Sequence, residues 1–138
     1  MTGKVMGIDL GKVRIGIAIS DGLRLCANPL AVLRARDAAA DIAAVIRLAE
    51  ENEIEEFVVG LPLNMDDTES AGSAKARSFA AALETASGKP VNLWDERLST
   101  VAAEEVLEAG TVKRRKRKRI VDKVAATVIL QEFLDSSK

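Results

Sequence analysis

The sequence predicts an α/β fold built on a mixed five-stranded sheet, in which an antiparallel three-strand meander is followed by two parallel strands. Three strand-like runs open the chain without a helix between them, and strand-like runs then alternate with helical patterns. The chain has 138 residues, of which 48% are hydrophobic, enough for one core and too few for two. We therefore expect a single domain over residues 1–138.

The meander comes from the first third of the chain. Two strand-like runs, Val5–Leu10 and Arg14–Ser20, flank Gly11–Val13, a segment suited to a hairpin turn. A third strand is predicted over Ala27–Leu33, where Pro29 restricts it to a sheet edge or a strand start.

Helices and strands then alternate. Asp37 can cap a helix over Ala38–Glu51, which carries apolar residues at helical spacing. The run Glu55–Leu61 is too short for a helix and is typical of a buried central strand. A second helical pattern starts at Ser70 and ends at Gly88.

The C-terminal third is predicted to hold one strand and two helices. The strand covers Val91–Trp94, and a short helix capped by Ser99 or Thr100 ends at Ala109. The final helix is predicted over Ile120–Leu134.

Composition excludes several classes of site. The chain has no histidine and one cysteine, Cys26, which excludes Ser-His-Asp and Cys-His catalysis, histidine-ligated zinc centres and disulfides. Carboxylates must therefore supply any acid-base or metal chemistry, and oxygen ligands suit Mg²⁺ or Mn²⁺. The N-terminus shows no signal-peptide pattern and no apolar run is long enough to span a membrane, so we expect a cytoplasmic protein that does not bind membranes.

Charge is segregated along the chain. A single basic run holds seven of the 20 basic residues, which leaves 13 basic and 21 acidic residues, a net charge of −8, elsewhere. The run consists of Lys113, Arg114, Arg115, Lys116, Arg117, Lys118 and Arg119. Such a segment is typical of polyanion binding, although a solvated loop or helix end accounts for it equally well.

Strand ends supply the first candidate site residues. Asp9 ends the first strand, and the neighbouring glycines Gly7 and Gly11 predict that a ligand, metal or phosphodiester can approach the backbone there. Asp95 and Glu96 end the last strand, and because strand residues alternate between faces only one of them should line a site. An aspartate that merely caps a turn is the alternative for Asp9.

Asp122 is the remaining candidate. It precedes Ala125, Ala126, Ile129 and Phe133 by helical spacing, which places a carboxylate on the apolar side of the final helix. A buried carboxylate needs a partner. The partner is either a cation between helix and sheet or, in the alternative interpretation, the backbone donors of the first helical turn.

Four motifs in order resemble the YqgF/RuvX family of the RNase H-like superfamily. They are G-I-D-L-G-x-x-R-I-G-I-A at Gly7–Ala18, V-V-G-L-P-L-N-M-D at Val58–Asp66, D-E-R-L-S-T at Asp95–Thr100 and V-D-K-V-A-A at Val121–Ala126. Members are described as Holliday-junction resolvases and as nucleases that mature the 5′ end of precursor small-subunit ribosomal RNA. One departure is Asp67, where members commonly have glycine.

The resemblance implies an RNase H-like nuclease whose acidic cluster is Asp9, Glu96 and Asp122. Crowded carboxylates repel one another unless cations compensate them, so we expect Mg²⁺ or Mn²⁺, with two ions serving an attacking water and the leaving oxygen of a phosphodiester. Phosphate or ribose contacts are expected from Arg14, Asn64 and Arg97, and from the basic run.

Precursor ribosomal RNA is the leading expected partner, and branched DNA is the alternative. Other partners on ribosomal precursors, or other nucleases, are compatible with this role, and a resolvase would need two active sites and hence a dimer, whereas a processing nuclease could act as a monomer. Two other classes stay open. One is a non-catalytic ribosome-assembly adaptor, and the other is an actin-like ATP-binding module, suggested by G-I-D-L-G.

Overall fold

The computed structural model describes residues 3–62, 70–95 and 114–136, with side chains in the last range from residue 125 onward. Five strands form one sheet with the spatial order β3-β2-β1-β4-β5. Their bounds are β1 Lys4–Leu10, β2 Arg14–Ser20, β3 Ala27–Arg34, β4 Ile54–Leu61 and β5 Val91–Asp95. Strands β1, β2 and β3 pair antiparallel, whereas β4 pairs parallel with both β1 and β5. The predicted mixed sheet is confirmed, and Pro29 lies on the edge strand β3.

Three helices in the described ranges cover the sheet. Helix α1 spans Ala38–Glu51, α2 spans Ala71–Ser87 and α3 spans Arg114–Ser136. The predicted caps are present: Asp37 accepts a hydrogen bond from the Ala40 backbone, and α2 begins with Ser70 in a capping box. Gly88 ends α2 in the left-handed conformation, with φ of 69°. The helix predicted to end at Ala109 lies outside the described residues. None of the helices in the described ranges could cross a membrane, because none combines sufficient length with sufficient apolar character.

Alternation along the strands divides the core between the two faces. On one face Met6 and Ile8 of β1 pack with α1 and α2, and on the other Val5 packs against Ala126 and Leu130 of α3. The central strands are therefore largely apolar on both faces, as the sequence predicts for β4.

Helix α3 begins earlier than the sequence prediction of Ile120. It starts at Arg114, so six of the seven residues of the basic run belong to its first turns and do not form a preceding loop. Lysine and arginine are good helix formers, and no glycine or proline interrupts this part of the chain. The apolar side predicted for this helix is confirmed, since Ala125, Ala126 and Ile129 are buried against the sheet.

Gly7 lets α3 approach the sheet. A Cβ atom at this position would lie 2.8 Å from Leu130 Cβ and 3.0 Å from the Ala126 carbonyl oxygen. The Gly11 N–H donates a 2.8 Å hydrogen bond to the Arg14 carbonyl, which closes the hairpin turn. A Cβ at Gly11 would lie 2.5 Å from the same oxygen. The prediction that these two glycines admit a ligand was wrong, because protein atoms occupy the space at both.

Replacing Gly7 by alanine is expected to destabilise the protein by about 1–3 kcal/mol, because α3 must move away from the sheet. The measurement is the free energy of unfolding in urea. Gly22→Ala is the matched control, since a Cβ at Gly22 meets nothing within 4 Å. Equal stability of the two variants would contradict the close packing of α3 on β1.

Candidate functional site

Asp9 lies at the end of β1 in a row that has little side-chain bulk. Its cross-strand partner on β2 is Gly16. On the other side, Ile8 pairs with Val59 of β4, so Gly60 is the next residue beside Asp9. Both glycines are buried in the sheet. Asp9 itself is half-buried, and neither of its neighbours in this row adds a side chain beside its carboxylate.

Helix α3 lies on the same face of the sheet as Asp9. Asp9 follows Gly7 by two residues and so shares its face, and Gly7 contacts the Ala126 carbonyl. Asp122 lies in α3 one turn before Ala126. The turn that carries Asp122 is thus a neighbour of the turn that packs on β1.

Contacts near the C-terminal end of α3 show in which direction the helix runs across the sheet. Gln131 accepts a hydrogen bond of 2.8 Å from the Ala27 backbone and donates one of 3.1 Å to the Leu25 carbonyl. This loop adjoins the start of β1, where the Gly3 backbone donates to the Gly22 carbonyl. The C-terminal half of α3 therefore lies towards the start of β1, and its earlier turns extend towards the end that carries Asp9.

Strand β5 resolves one choice that the sequence left open. Val91 and Leu93 pack with the α1/α2 core, whereas Trp94 packs with the α3 core. Asp95 follows Trp94 and pairs with Leu61, so alternation places Asp95 on the α1/α2 face, opposite to Asp9. Asp95 is therefore not a member of a cluster around Asp9.

Arg14 is the one expected phosphate contact whose side chain the structure describes. It begins β2 and lies two residues from Gly16, so it occupies the same face as Asp9 on a diagonal of roughly 7–8 Å between Cα atoms. The backbones of Arg114–Arg119 form the start of α3. Four expected site residues lie outside the described residues: Asn64, Glu96, Arg97 and Lys113.

The donor chemistry around Asp9 fits a hard divalent cation. The carboxylate is an oxygen donor of the kind Mg²⁺ and Mn²⁺ prefer, and its two neighbours in the row are glycines. In the described part of the chain, no three acidic, cysteine or histidine residues come together as a metal cluster. Glu96 and Asp122, which the family resemblance assigns to the same cluster, lie beyond the described side chains.

The opposite end of the α3 face is occupied by a structural ion pair. Arg24 and Glu56 are 2.8 Å apart, with side chains only 13% and 14% exposed. Asn92 donates a 2.7 Å hydrogen bond to the second oxygen of Glu56. The charge of Glu56 is thus compensated within the protein.

Asp21 organises the loop after β2. The backbone N–H of Cys26 lowers the pKa of the Asp21 carboxyl, and the N–H groups of Leu25 and Leu23 lower it further. This carboxylate therefore stabilises a turn.

Sequence reasoning missed Gly16 and Gly60 as the neighbours of Asp9. Both are isolated glycines within strand patterns, a signal that marks a close approach to the backbone. Their proximity to Asp9 depends on strand order and register.

Comparison with known proteins identifies the family. The model of the family described as "RuvX: Holliday junction resolvase" matches residues 3–136. The "Putative pre-16S rRNA nuclease" of Paracoccus denitrificans is 46% identical over 134 residues, covering 97% of this chain and 85% of that protein. The protein of the same name from Myxococcus xanthus is 45% identical over 135 residues, covering 98% and 89%.

Solved structures agree on the fold. Thermus thermophilus RuvC in complex with Holliday junction substrate gives a TM-score of 0.64 at 18% identity, covering 98% of this chain and 95% of that chain. The fowlpox virus Holliday junction resolvase gives 0.60 at 14% identity, covering 96% and 99%. The sheet, the placement of the helices and these likenesses confirm an RNase H-like fold, and the chain belongs to the RuvX family.

Proposed function

We propose that this protein is a metal-dependent endonuclease that hydrolyses phosphodiester bonds in structured nucleic acid, with precursor small-subunit ribosomal RNA as its main substrate. One observation carries the proposal: Asp9 lies in a glycine-lined row on the face covered by α3, the helix that contains Asp122. The named relatives, at 45–46% identity, direct the choice of substrate. Precursor ribosomal RNA as substrate implies a cytoplasmic site of action.

The proposed acidic cluster is Asp9, Glu96 and Asp122. Alternation along β5 supports Glu96 over Asp95, because the residue after Asp95 in a continuing strand returns to the face of Trp94 and Asp9. The course of α3 towards the Asp9 end of β1 supports Asp122. The cluster thus draws on two strand ends and one helix.

These three carboxylates would hold Mg²⁺ or Mn²⁺, in a two-ion site. Bound divalent cations supply activation of water and stabilisation of the leaving oxygen. The protein's own contribution is to fix the carboxylates on a buried sheet and a packed helix, so that little reorganisation accompanies the reaction. The glycines beside Asp9 add no side chains next to its carboxylate.

The basic run is proposed as the main contact with the nucleic-acid backbone. Cationic residues in the first turn of a helix lie at the positive end of the helix dipole, an unfavourable placement that costs a few tenths of a kcal/mol or more for a charge there. A polyanion relieves this repulsion and releases counterions on binding. Arg14, Asn64 and Arg97 would contact phosphate or ribose nearer to the cluster.

Branched DNA is the second candidate substrate. The family description and the two structural neighbours named for Holliday junctions favour it. Symmetric cleavage of a junction would require a dimer with two sites, whereas processing of RNA requires one. Membership of this family over nearly the whole chain favours either nuclease over the actin-like ATP-binding module.

The test is a cleavage assay with Mg²⁺, Mn²⁺ or chelator. It presents a labelled RNA that contains the 5′ end of the small-subunit precursor and a labelled four-way DNA junction. The expected result is metal-dependent cutting of the RNA. Preferential cutting of the junction would select the resolvase, and binding without cutting of either substrate would favour the assembly adaptor.

A further inference from the structure

Arg34, which neither the motifs nor the proposed cluster includes, lies directly opposite Arg14. The register of β2 and β3 pairs these two residues, and alternation places both Cβ atoms on the face of Asp9. Arg34 is the last residue of the edge strand and also lines the cavity between the end of β3 and α1. Cross-strand partners have Cβ atoms roughly 4.5–5.5 Å apart. The two guanidinium groups therefore start from neighbouring positions at one end of the sheet.

A pair of like charges at this position is unfavourable for the isolated protein. In the described part of the chain neither arginine forms an ion pair, whereas Arg24 and Arg47 both do. Among the described residues, the acidic residues that follow in the chain form no ion pair with either arginine. Asp37 accepts from the Ala40 backbone and Asp41 from the Arg36 backbone.

The backbone that carries Arg34 is fixed in place. The Ala35 N–H donates a 2.8 Å hydrogen bond to the Val13 carbonyl in the hairpin turn, which ties the end of β3 to the start of β2. The Arg34 residue itself is exposed, whereas Arg14 is half-buried. The two arginines thus lie side by side on β2 and β3, between Asp9 and the outer edge of the sheet.

We propose that Arg14 and Arg34 together bind consecutive backbone phosphates of the nucleic acid, and that Arg34 directs the strand from the cleavage site across β2 to the β3 edge. Guanidinium groups match phosphate geometry in bidentate hydrogen bonds. This inference rests on the proposed function, because it assigns a path to the substrate of that site. It places the path on the side of Asp9 that lies away from β4 and β5.

The test measures binding of the labelled precursor RNA in chelator as a function of salt, so that cleavage does not enter. Arg34→Gln is expected to reduce the slope of log affinity against log salt by about one, and to weaken binding several-fold at low salt. Lys75→Gln, which removes one exposed charge from α2 on the opposite face of the sheet, should leave the slope unchanged.

Thermal melting without nucleic acid separates binding from a structural role. Removal of one of two repelling charges should leave the melting temperature of Arg34→Gln unchanged or raised, whereas a structural arginine would lower it. An unchanged salt slope in Arg34→Gln, with wild type binding normally, would overturn this inference and leave the nuclease proposal intact. A reduced salt slope in Arg34→Gln, together with no cleavage of any substrate by wild type, would support the proposed phosphate contacts and refute the nuclease proposal.

Discussion

Asp9→Asn is expected to reduce the rate of metal-dependent cleavage by on the order of a hundredfold or more, because it removes a charged oxygen donor from the centre of the proposed cation site. Binding of uncut RNA should be nearly unchanged, since the phosphate contacts lie elsewhere. The measurement is single-turnover cleavage at saturating protein, together with binding in chelator.

The same substitution should not unfold the protein. Asp9 is half-buried at a strand end, and its cross-strand partner is Gly16. In the proposed cluster, neutralising one of three carboxylates relieves repulsion in the absence of cations. The melting temperature in chelator is therefore expected to stay the same or rise, and the stabilisation that we expect Mg²⁺ or Mn²⁺ to give wild type should shrink.

Asp95→Asn is the matched control. It changes the same chemical group at a neighbouring strand end, but on the α1/α2 face. Cleavage by this variant should remain within a few-fold of wild type. Equal loss in both variants would contradict the assignment of faces, and full activity in Asp9→Asn would refute the carboxylate mechanism and favour the adaptor.

Replacing the basic residues of α3 from Arg114 to Arg119 by glutamine is expected to weaken RNA binding by about a hundredfold or more at low salt. Each lost phosphate contact also removes up to about 0.9 from the salt slope for duplex substrates. Glutamine keeps good helix propensity, so the helix itself should persist. The measurement is binding across a range of salt concentrations.

A second readout comes from the helix dipole. Without cations in its first turns, α3 should be no less stable, so the free energy of unfolding is expected to stay equal or increase. The control removes Arg47 and Lys75, exposed cations on α1 and α2, and the slope change is compared per charge removed. An unchanged slope in the α3 variant would reject this helix as the phosphate contact.

Among the described elements, the bounds predicted from the sequence agree with the structure to within a few residues, except at the start of α3. Helix α1 was predicted with its observed bounds, because Asp37 and the apolar spacing are local signals. The mixed sheet followed from the order of elements and the short connections between them. The start of α3 was missed because a charged run has no apolar periodicity to mark it, although its residues favour a helix.

The residues of the candidate site were likewise only partly predictable from the sequence. Asp9 and Asp122 were recognisable as carboxylates in unusual positions, but their sequence separation carries no information on distance. Strand order and register brought Gly16 and Gly60 beside Asp9, placed Arg34 opposite Arg14 and turned Asp95 to the far face. These neighbours arise from pairing between segments that are distant in the chain, so they depend on the tertiary structure. The sequence pattern around a residue indicates only which face of its own strand or helix the residue occupies.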